Sequence, residues 1–233
     1  MNLFSLIPSV CPMCGEPSKF KSFCRGCKDD IVYSMRNHPY RCEHCLLALP
    51  QEGDCPNCSD YYVDIEAIWT IFDYFPPNES LILRFKNNGE NYLADYFARL
   101  FFEMNPNFKP DLDTVFIPIP SRNPSLCKRG YNPATLFAQA LRKKYLCKID
   151  ASIMRCRYHD NKVLKALDQA QRFASSSQQY FCAYRAKFKK AIIVDDVLTT
   201  GSTIHAASRA LLAAGVENVQ AVVIARAAIP GLF

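Results

Sequence analysis

The 233-residue sequence has no apolar run near the roughly 18–20 residues that a membrane-spanning helix requires. Basic residues are missing ahead of the short apolar stretch that ends at Pro8, so the N-terminus is a poor secretion signal. A disordered chain is also excluded, because 49% of the residues are hydrophobic and only 21% are charged. These absences predict a folded cytoplasmic protein of one or two domains.

Cysteine, by contrast, is abundant, with twelve residues, and eight of them lie within residues 11–58. All eight belong to C-x-x-C pairs, whereas Cys127, Cys147, Cys156 and Cys182 are scattered and are expected to fill the core. Disulfides are disfavoured in a reducing compartment, so the clustered pairs indicate metal binding. The pairs are Cys11/Cys14, Cys24/Cys27, Cys42/Cys45 and Cys55/Cys58.

The pattern C-x2-C-x9-C-x2-C occurs twice, and a shift of 31 positions superimposes the two copies. Such an internal repeat predicts a duplicated unit, and four thiolates satisfy one tetrahedral zinc ion. The first four cysteines are therefore predicted to bind one structural zinc, and the last four a second. Cross-braced pairing, four disulfides, or iron sites of the same geometry are alternatives. A segment this short and poor in large apolar residues would depend on metal to fold.

Acidic residues are scarce in one region of the chain. Residues 121–190 carry 16 basic and only 3 acidic side chains, whereas residues 1–62 carry 6 basic and 7 acidic ones. Each Zn(Cys)4 site would add a charge of about −2, which makes the metallated N-terminal module distinctly acidic. Phosphates are the natural partners of the basic region, so DNA is predicted to contact the second domain rather than the metal module.

Strand and helix patterns alternate after the cysteine-rich segment, which predicts an α/β domain with a parallel sheet. We place the domain boundaries at 1–62 and 63–233. The predicted strands are 63–74, 114–120, 191–197 and 219–225, and the predicted helices are 79–86, 90–104, 134–145 and 202–214. Residues 156–180 are polar and give no clear pattern. Only eight residues follow the last strand, so no C-terminal base-binding lobe is expected.

The segment AIIVDDVLTTGST at residues 191–203 carries the clearest chemistry. An apolar strand ends in Asp195 and Asp196, and a Thr/Gly/Ser loop then leads into a helix. Free N–H groups at a helix N-terminus favour a phosphate, and glycine allows close approach of the anion. The two acids can accept hydrogen bonds from sugar hydroxyls. The combination predicts a ribose 5-phosphate site, with ordinary strand-end caps as the alternative role for the acids.

The sequence VDDVLTTGST resembles the phosphoribosyl-pyrophosphate (PRPP) motif of type I phosphoribosyltransferases. In addition, VFIPIP at 115–120 and KRGYN at 128–132 resemble the V-P-V-P … R-G-F-N segment of the ComF/GntX family. Weaker likenesses lie at 84–89 and 167–172. The resemblance implies a phosphoribosyltransferase-like (Rossmann-like) fold behind an N-terminal zinc-ribbon module. It covers nearly the whole chain, although Pro133 stands where the family usually has Gln and 121–123 differ from the commoner Leu-His-Pro.

The resemblance also implies PRPP and magnesium as ligands, with Asp195 and Asp196 as the candidate catalytic pair. The residues expected to bind the ribose and its 5-phosphate are Asp195, Asp196, Val197, Leu198, Thr199, Thr200, Gly201, Ser202 and Thr203. The residues expected on the pyrophosphate side are Pro120, Ser121, Arg122, Lys128, Arg129 and, with least support, Lys86. Lys86, Lys128 and Arg129 have solvated surface charges as their alternative role.

Two functions follow from this resemblance. The first is a competence factor that handles single-stranded DNA during natural transformation, with DNA-uptake or helicase proteins at the inner face of the membrane as partners. The second is an active phosphoribosyltransferase with an unidentified acceptor. Several aromatic residues among the basic ones are candidates for stacking on unpaired bases, with packing in or partly in the core as the alternative role of most of them. These are Tyr131, Phe137, Tyr145, Tyr158, Tyr180 and Tyr184.

Overall fold

The structure is a computed structural model that describes residues 9–56, 58, 64–157 and 179–228. Its N-terminal part holds a short antiparallel pair, β1 (Ser9–Val10) and β2 (Pro17–Ser18), followed by helix α1 (Arg25–Asn37). The sequence analysis did not predict α1. Cys24 is the residue immediately before this helix and Cys27 lies in its first turn, so one C-x-x-C pair is fixed by helical geometry.

The central sheet contains only parallel pairings among the described residues, as predicted. Its strands are β3 (Ile68–Trp69), β4 (Phe72–Tyr74), β5 (Val115–Pro118), β6 (Lys148–Ile149), β9 (Lys190–Leu198) and β10 (Asn218–Ala227). A separate antiparallel hairpin consists of β7 (Met154–Cys156) and β8 (Tyr180–Cys182). The order is β3-β10-β9-β5-β6, with β4 also pairing along β10. β9 and β10 are central and largely buried on both faces, which explains their continuous apolar sequences.

Four of the helices that follow the cysteine-rich part lie where the apolar spacing predicted them. The bounds of the helices after that part are α2 (Asn78–Asn87), α3 (Leu93–Met104), α4 (Asn123–Arg129), α5 (Pro133–Tyr145) and α6 (Ser202–Ala213). The short helix α4, which carries Lys128 and Arg129, was not predicted. It ends at Gly130, whose φ of +75° is the left-handed cap that glycine adopts without strain. No helix in the described ranges is both long and apolar enough to cross a bilayer.

The two faces of the sheet form two apolar cores, and each cysteine repeat packs into a different one. Cys11, Phe23 and Ile31 join the core that contains α2, α3 and α5. Cys45 and Leu47 join the opposite core, which contains α6 and the β7–β8 hairpin. The predicted boundary near residue 62 stays a prediction, because residues 59–63 lie outside the described ranges.

A buried ion pair also joins the cysteine-rich part to the sheet. The Arg41 guanidinium donates to both carboxylate oxygens of Asp73, at 3.0 and 2.6 Å, and to the backbone oxygen of Ser34. Asp73 lies on β4 and is fully buried, and the Ser34 hydroxyl also donates to it. A bidentate pair of this kind fixes the relative orientation of its two elements, and removing one partner leaves a buried charge.

Candidate functional site

The candidate site lies at the carboxyl edge of the parallel sheet, where ligands of open α/β sheets generally bind. Strand β9 ends at Leu198, and a three-residue loop leads to Ser202, the first residue of α6. Gly201 precedes the helix with a φ of +85°, a conformation that a side chain would strain. The predicted strand–loop–helix unit therefore forms, with the N-terminal N–H groups of α6 directed toward the loop.

Hydroxyl groups order this loop. The Thr200 hydroxyl donates to the Ser202 hydroxyl at 3.1 Å, and the Ser202 N–H donates to the Thr200 hydroxyl oxygen at 3.4 Å. Thr199 and Thr200 are exposed, while Ser202 and Thr203 are half-buried. Backbone N–H groups and hydroxyl donors are thus available at a helix N-terminus, which is the donor set that a phosphate monoester requires.

The two acids adjoin the loop and differ in environment. The Asp196 N–H donates to a carboxylate oxygen of Asp195 at 2.9 Å, and both side chains are half-buried. Burial, together with the charge of Asp196, raises the pKa of Asp195 to about 8. Two adjacent carboxylates partly shielded from water are suited to accept hydroxyl hydrogen bonds from a ribose ligand and to face cationic charge.

Lys86, a candidate for the pyrophosphate side, forms an ion pair with one of the two acids, a contact that the sequence did not predict. Its Nζ lies 2.9 Å from a carboxylate oxygen of Asp196, and both side chains are largely shielded from solvent. The lysine is therefore paired with an acid of the candidate ribose site rather than free on the surface. Helix α2 brings it there across 110 residues of sequence.

The end of β5 lies beside the acids. The Ile119 N–H donates to the Val194 carbonyl, which places Pro120, Ser121 and Arg122 next to the end of β9. Asn132 holds this turn, because its side-chain amide donates to the Ile119 carbonyl and its Oδ1 accepts from the Ala134 N–H at the start of α5.

Lys128 and Arg129 are placed less close to the acids. Both lie in the last turn of α4, with Lys128 exposed and Arg129 half-buried. Within the described part of the chain, no hydrogen bond or ion pair joins either residue to the acids or to the loop. Their assignment to the pyrophosphate side stays a prediction.

Two tyrosines contribute in ways that the sequence analysis missed. Tyr131 donates its hydroxyl to the Phe85 carbonyl and so fixes the helix that carries Lys86. Tyr180, on β8, is buried. Its burial is the main cause that raises its pKa, and the charge of Asp195 adds to this effect. A hydrogen bond with Thr203 lowers the pKa in part. Tyr180 therefore borders the site and is not a surface stacking residue. No local sequence pattern identifies this contact, because β8 follows a polar segment.

The cysteines of each repeat converge, as predicted, and among the described residues each group of four thiols comes from a single repeat. Within each set of four, all sulfur atoms lie within 4.8 Å of one another. Individual separations are 3.6 Å for Cys14–Cys24, 3.5 Å for Cys42–Cys58 and 3.6 Å for Cys45–Cys55. A tetrahedron with Zn–S bonds of about 2.3 Å has edges of about 3.8 Å, so the donor set and its size fit structural zinc.

The repeat is also visible in the backbone and in the thiol chemistry. The Gly15 N–H donates to the Cys11 carbonyl, and the Leu46 N–H donates to the Cys42 carbonyl, both at 2.9 Å. Burial acts to raise the pKa of Cys11, but backbone N–H groups outweigh it and lower that pKa to about 7. The same balance lowers the pKa of Cys42. In each repeat, the backbone N–H groups around the first cysteine thus favour its thiolate, the form that binds metal.

Most of the aromatic residues predicted as stacking candidates are packed inside the protein. Phe137 and Tyr180 are buried, and Tyr131 and Tyr145 are half-buried; Tyr184 is 44% exposed, and Tyr158 lies outside the described residues. Phe181, which was not predicted, is 38% exposed on β8 and lies opposite Arg155 in the hairpin. The Arg157 guanidinium lies 5.5 Å from the centre of its ring. We call Arg155, Arg157, Phe181 and Tyr184 the hairpin face.

Comparison with known proteins defines the class of protein first. Residues 166–231 match the phosphoribosyl transferase domain, a span that includes both acids and the loop. Over 211 residues the chain is 28% identical to competence protein F of Haemophilus influenzae, with 88% of this chain and 90% of the relative covered. It is 25% identical to competence protein ComFC of Bacillus subtilis, covering 88% of this chain and 72% of the relative. It is 24% identical to DNA utilization protein YhgH of Escherichia coli K12, covering 92% and 95%. These similarities cover most of the chain and, together with the phosphoribosyl transferase domain, support the ComF family.

Proposed function

We propose that this protein is a ComF-like, PRPP-binding factor that handles single-stranded DNA during DNA uptake in natural transformation. The observation that carries the proposal is the placement of Asp195, Asp196 and the 199–203 loop at one sheet edge within a phosphoribosyl transferase domain. The names of the relatives, competence protein and DNA utilization protein, support the biological role.

In this proposal, the loop N–H and hydroxyl groups hold the 5-phosphate, and Asp195 and Asp196 accept hydrogen bonds from the ribose hydroxyls. Magnesium, which prefers phosphate and hydroxyl oxygens, would neutralise the pyrophosphate. Lys86 keeps Asp196 in place until the ligand arrives. Pro120, Ser121 and Arg122 border the pyrophosphate side because they adjoin the end of β9.

Titration calorimetry with PRPP and magnesium tests the ligand. We expect saturable binding by the wild-type protein and no detectable binding by the Asp195→Asn/Asp196→Asn variant, because the ribose loses both of its carboxyl partners. Asp111→Asn is the matched control, since this exposed acid lies at the opposite edge of the sheet and pairs with Lys190. Equal affinities for all three proteins would refute the assignment.

For DNA, we propose the hairpin face as a contact surface. Its exposed Phe181 and Tyr184 offer aromatic planes, and Arg155 and Arg157 supply positive charge around them. Asp150 is the acidic neighbour of this face, and it accepts hydrogen bonds from the Tyr184 hydroxyl. Aromatic rings with adjacent cations bind single strands without sequence preference and with strong salt dependence.

Charge reversal on the two parts of the chain tests this surface. We expect Arg155→Glu/Arg157→Glu to weaken single-stranded DNA binding by at least about tenfold at low salt and to flatten its salt dependence. Lys19→Glu/Arg25→Glu changes two exposed cations of the metal module and is the matched control. A larger loss in the control pair would contradict the proposal and favour DNA binding by the metal module.

The protein would act at the cytoplasmic side of the inner membrane, where DNA-uptake or helicase proteins are its expected partners. A second candidate function is phosphoribosyl transfer to an unidentified acceptor. The half-buried carboxylates favour it, because they can stabilise positive charge that develops on the sugar when pyrophosphate leaves. Pyrophosphate release from PRPP over a panel of acceptors distinguishes turnover from binding alone.

A further inference from the structure

A buried arginine joins the second cysteine cluster to the candidate PRPP loop. Arg226 lies at the end of β10 and is only 1% exposed. Its Nε donates to the Cys45 carbonyl at 2.8 Å, and its Nη2 lies 3.5 Å from the Cys45 sulfur. From the other side of the guanidinium, Nη1 donates to the carbonyls of Leu198 and Thr199 at 3.0 and 2.6 Å, and to that of Ala227.

The charge of this guanidinium requires a counter-charge. No carboxylate within the described ranges forms an ion pair with Arg226, and a fully buried cation is costly without an anion nearby. The adjacent cluster supplies one when metallated, because four thiolates around a divalent ion carry a charge of about −2. Hydrogen bonds to charged sulfur then stabilise the cluster and the arginine together.

The same side chain fixes the start of the candidate PRPP loop. Leu198 is the last residue of β9 and Thr199 is the first residue of the loop, so both carbonyls that Arg226 binds belong to the strand–loop junction. Holding these two carbonyls sets the direction in which the following N–H groups point. Cys45 is fully buried, which leaves the junction little freedom to move away from the cluster.

We propose that Arg226 is a positioning residue through which the metal of the Cys42/Cys45/Cys55/Cys58 cluster holds the PRPP loop in its binding geometry. The first cluster has no equivalent link, since within the described residues Arg84 reaches that repeat only at the Pro12 carbonyl and is not joined to the loop. The coupling rests in part on the proposed PRPP function. It also predicts reciprocity, because PRPP would then slow release of the second metal.

Hydrogen exchange in the full-length, zinc-loaded protein tests the coupling without PRPP. Cys58→Ser and Cys27→Ser are matched variants, since they remove the last ligand of each cluster. We expect exchange of the 199–203 amides to rise at least about tenfold in Cys58→Ser and less than about twofold in Cys27→Ser. Arg226→Lys, which keeps the charge but cannot bridge both sides, should reproduce the loop effect if a cysteine variant fails to fold.

Chelator-driven zinc release gives the second readout. In the wild-type protein, saturating PRPP should slow the release of one of the two zinc ions severalfold, and Arg226→Lys should abolish that difference. Equal loop exchange in folded wild-type and Arg226→Lys proteins would overturn the proposal. Failure of the wild-type protein to bind PRPP would overturn the proposed function instead, and the exchange experiment would still decide whether the cluster controls the loop.

Discussion

Replacing Asp195 with asparagine is expected to stabilise the folded protein while it removes PRPP binding. Asparagine keeps the acceptor that receives the Asp196 N–H at 2.9 Å, so the local backbone geometry is retained. It removes a carboxylate that is unfavourable in its half-buried position beside Asp196. Stability and function should therefore change in opposite directions at this residue.

The size of the effect follows from the proton affinity of Asp195. Burial and the neighbouring charge raise its pKa to about 8 from an ordinary value of 3.8. At about 1.4 kcal/mol for each tenfold change in proton affinity, the upper limit is about 6 kcal/mol. Solvent reaches part of the side chain and screens its charge, so we expect about 2 kcal/mol. For a chain of this size, this corresponds to a Tm increase of about 4–8 °C.

The contribution of Asp195 to the stability of the folded protein depends on pH. A carboxyl group whose pKa is raised by folding makes the folded state bind more protons than the unfolded state between the two pKa values. Wild-type stability attributable to Asp195 is therefore present below about pH 4 and is lost as pH rises toward about 8. The Tm difference between Asp195→Asn and wild type should be smallest at pH 4.5, the acid end of the range, and largest above pH 8.

Thermal unfolding in zinc-supplemented buffer from pH 4.5 to 8.5 measures this difference. Asp196→Asn serves as the control, because it breaks the 2.9 Å ion pair with Lys86 and should not raise Tm at neutral pH. A Tm difference for Asp195→Asn that stays constant with pH, or that is negative at pH 8, would refute the assignment of a destabilising charge to Asp195.

Three further predictions concern the metal, the ion pair and the DNA surface. Removing zinc with a chelator should lower Tm by more than about 10 °C, because both clusters contribute to the apolar cores; an unchanged Tm would show that the cysteines fold without metal. Arg41→Met should cost about 3–5 kcal/mol in denaturant unfolding, since it leaves Asp73 charged and buried, and a loss below about 1 kcal/mol would contradict this. Phe181→Ala should weaken single-stranded DNA binding by about 1–3 kcal/mol in fluorescence anisotropy. No stacking is expected for Phe137, because it is buried; unchanged affinity of Phe181→Ala would exclude stacking on Phe181.

The features that the sequence predicted are those determined by nearby residues. The cysteine repeat has fixed spacing within each copy, so the grouping of its ligands could be derived before the structure was available. The strand–loop–helix unit at 191–203 is likewise continuous in sequence, and its glycine and hydroxyl residues identify the turn. The parallel sheet followed from the apolar character of β9 and β10 together with the helix between them.

The features that escaped prediction depend on long-range contacts. Lys86 reaches Asp196 across 110 residues, and Arg226 reaches Cys45 across 181 residues. The β7–β8 hairpin pairs residues on either side of a long polar segment, so neither strand has a clear pattern of its own. One signal for Arg226 was present, because a charged residue directly after the apolar run 219–225 would be buried if the strand continued.

The placement of the two clusters argues for a scaffold role of the metal module. A detached zinc finger would present its own surface to nucleic acid, but here Cys11 packs into one core and Cys45 into the other, on opposite faces of the sheet. The guanidinium groups of Arg41 and Arg226 both lie between the cysteine-rich part and the sheet, where Arg41 pairs with Asp73 and Arg226 donates to the Cys45 carbonyl. The module is close to neutral before metal binds and acidic afterwards, so it adds no attraction for DNA. We therefore expect metal binding to act on the sheet that carries the loop, and a polyanion to contact the basic region instead of the metal module.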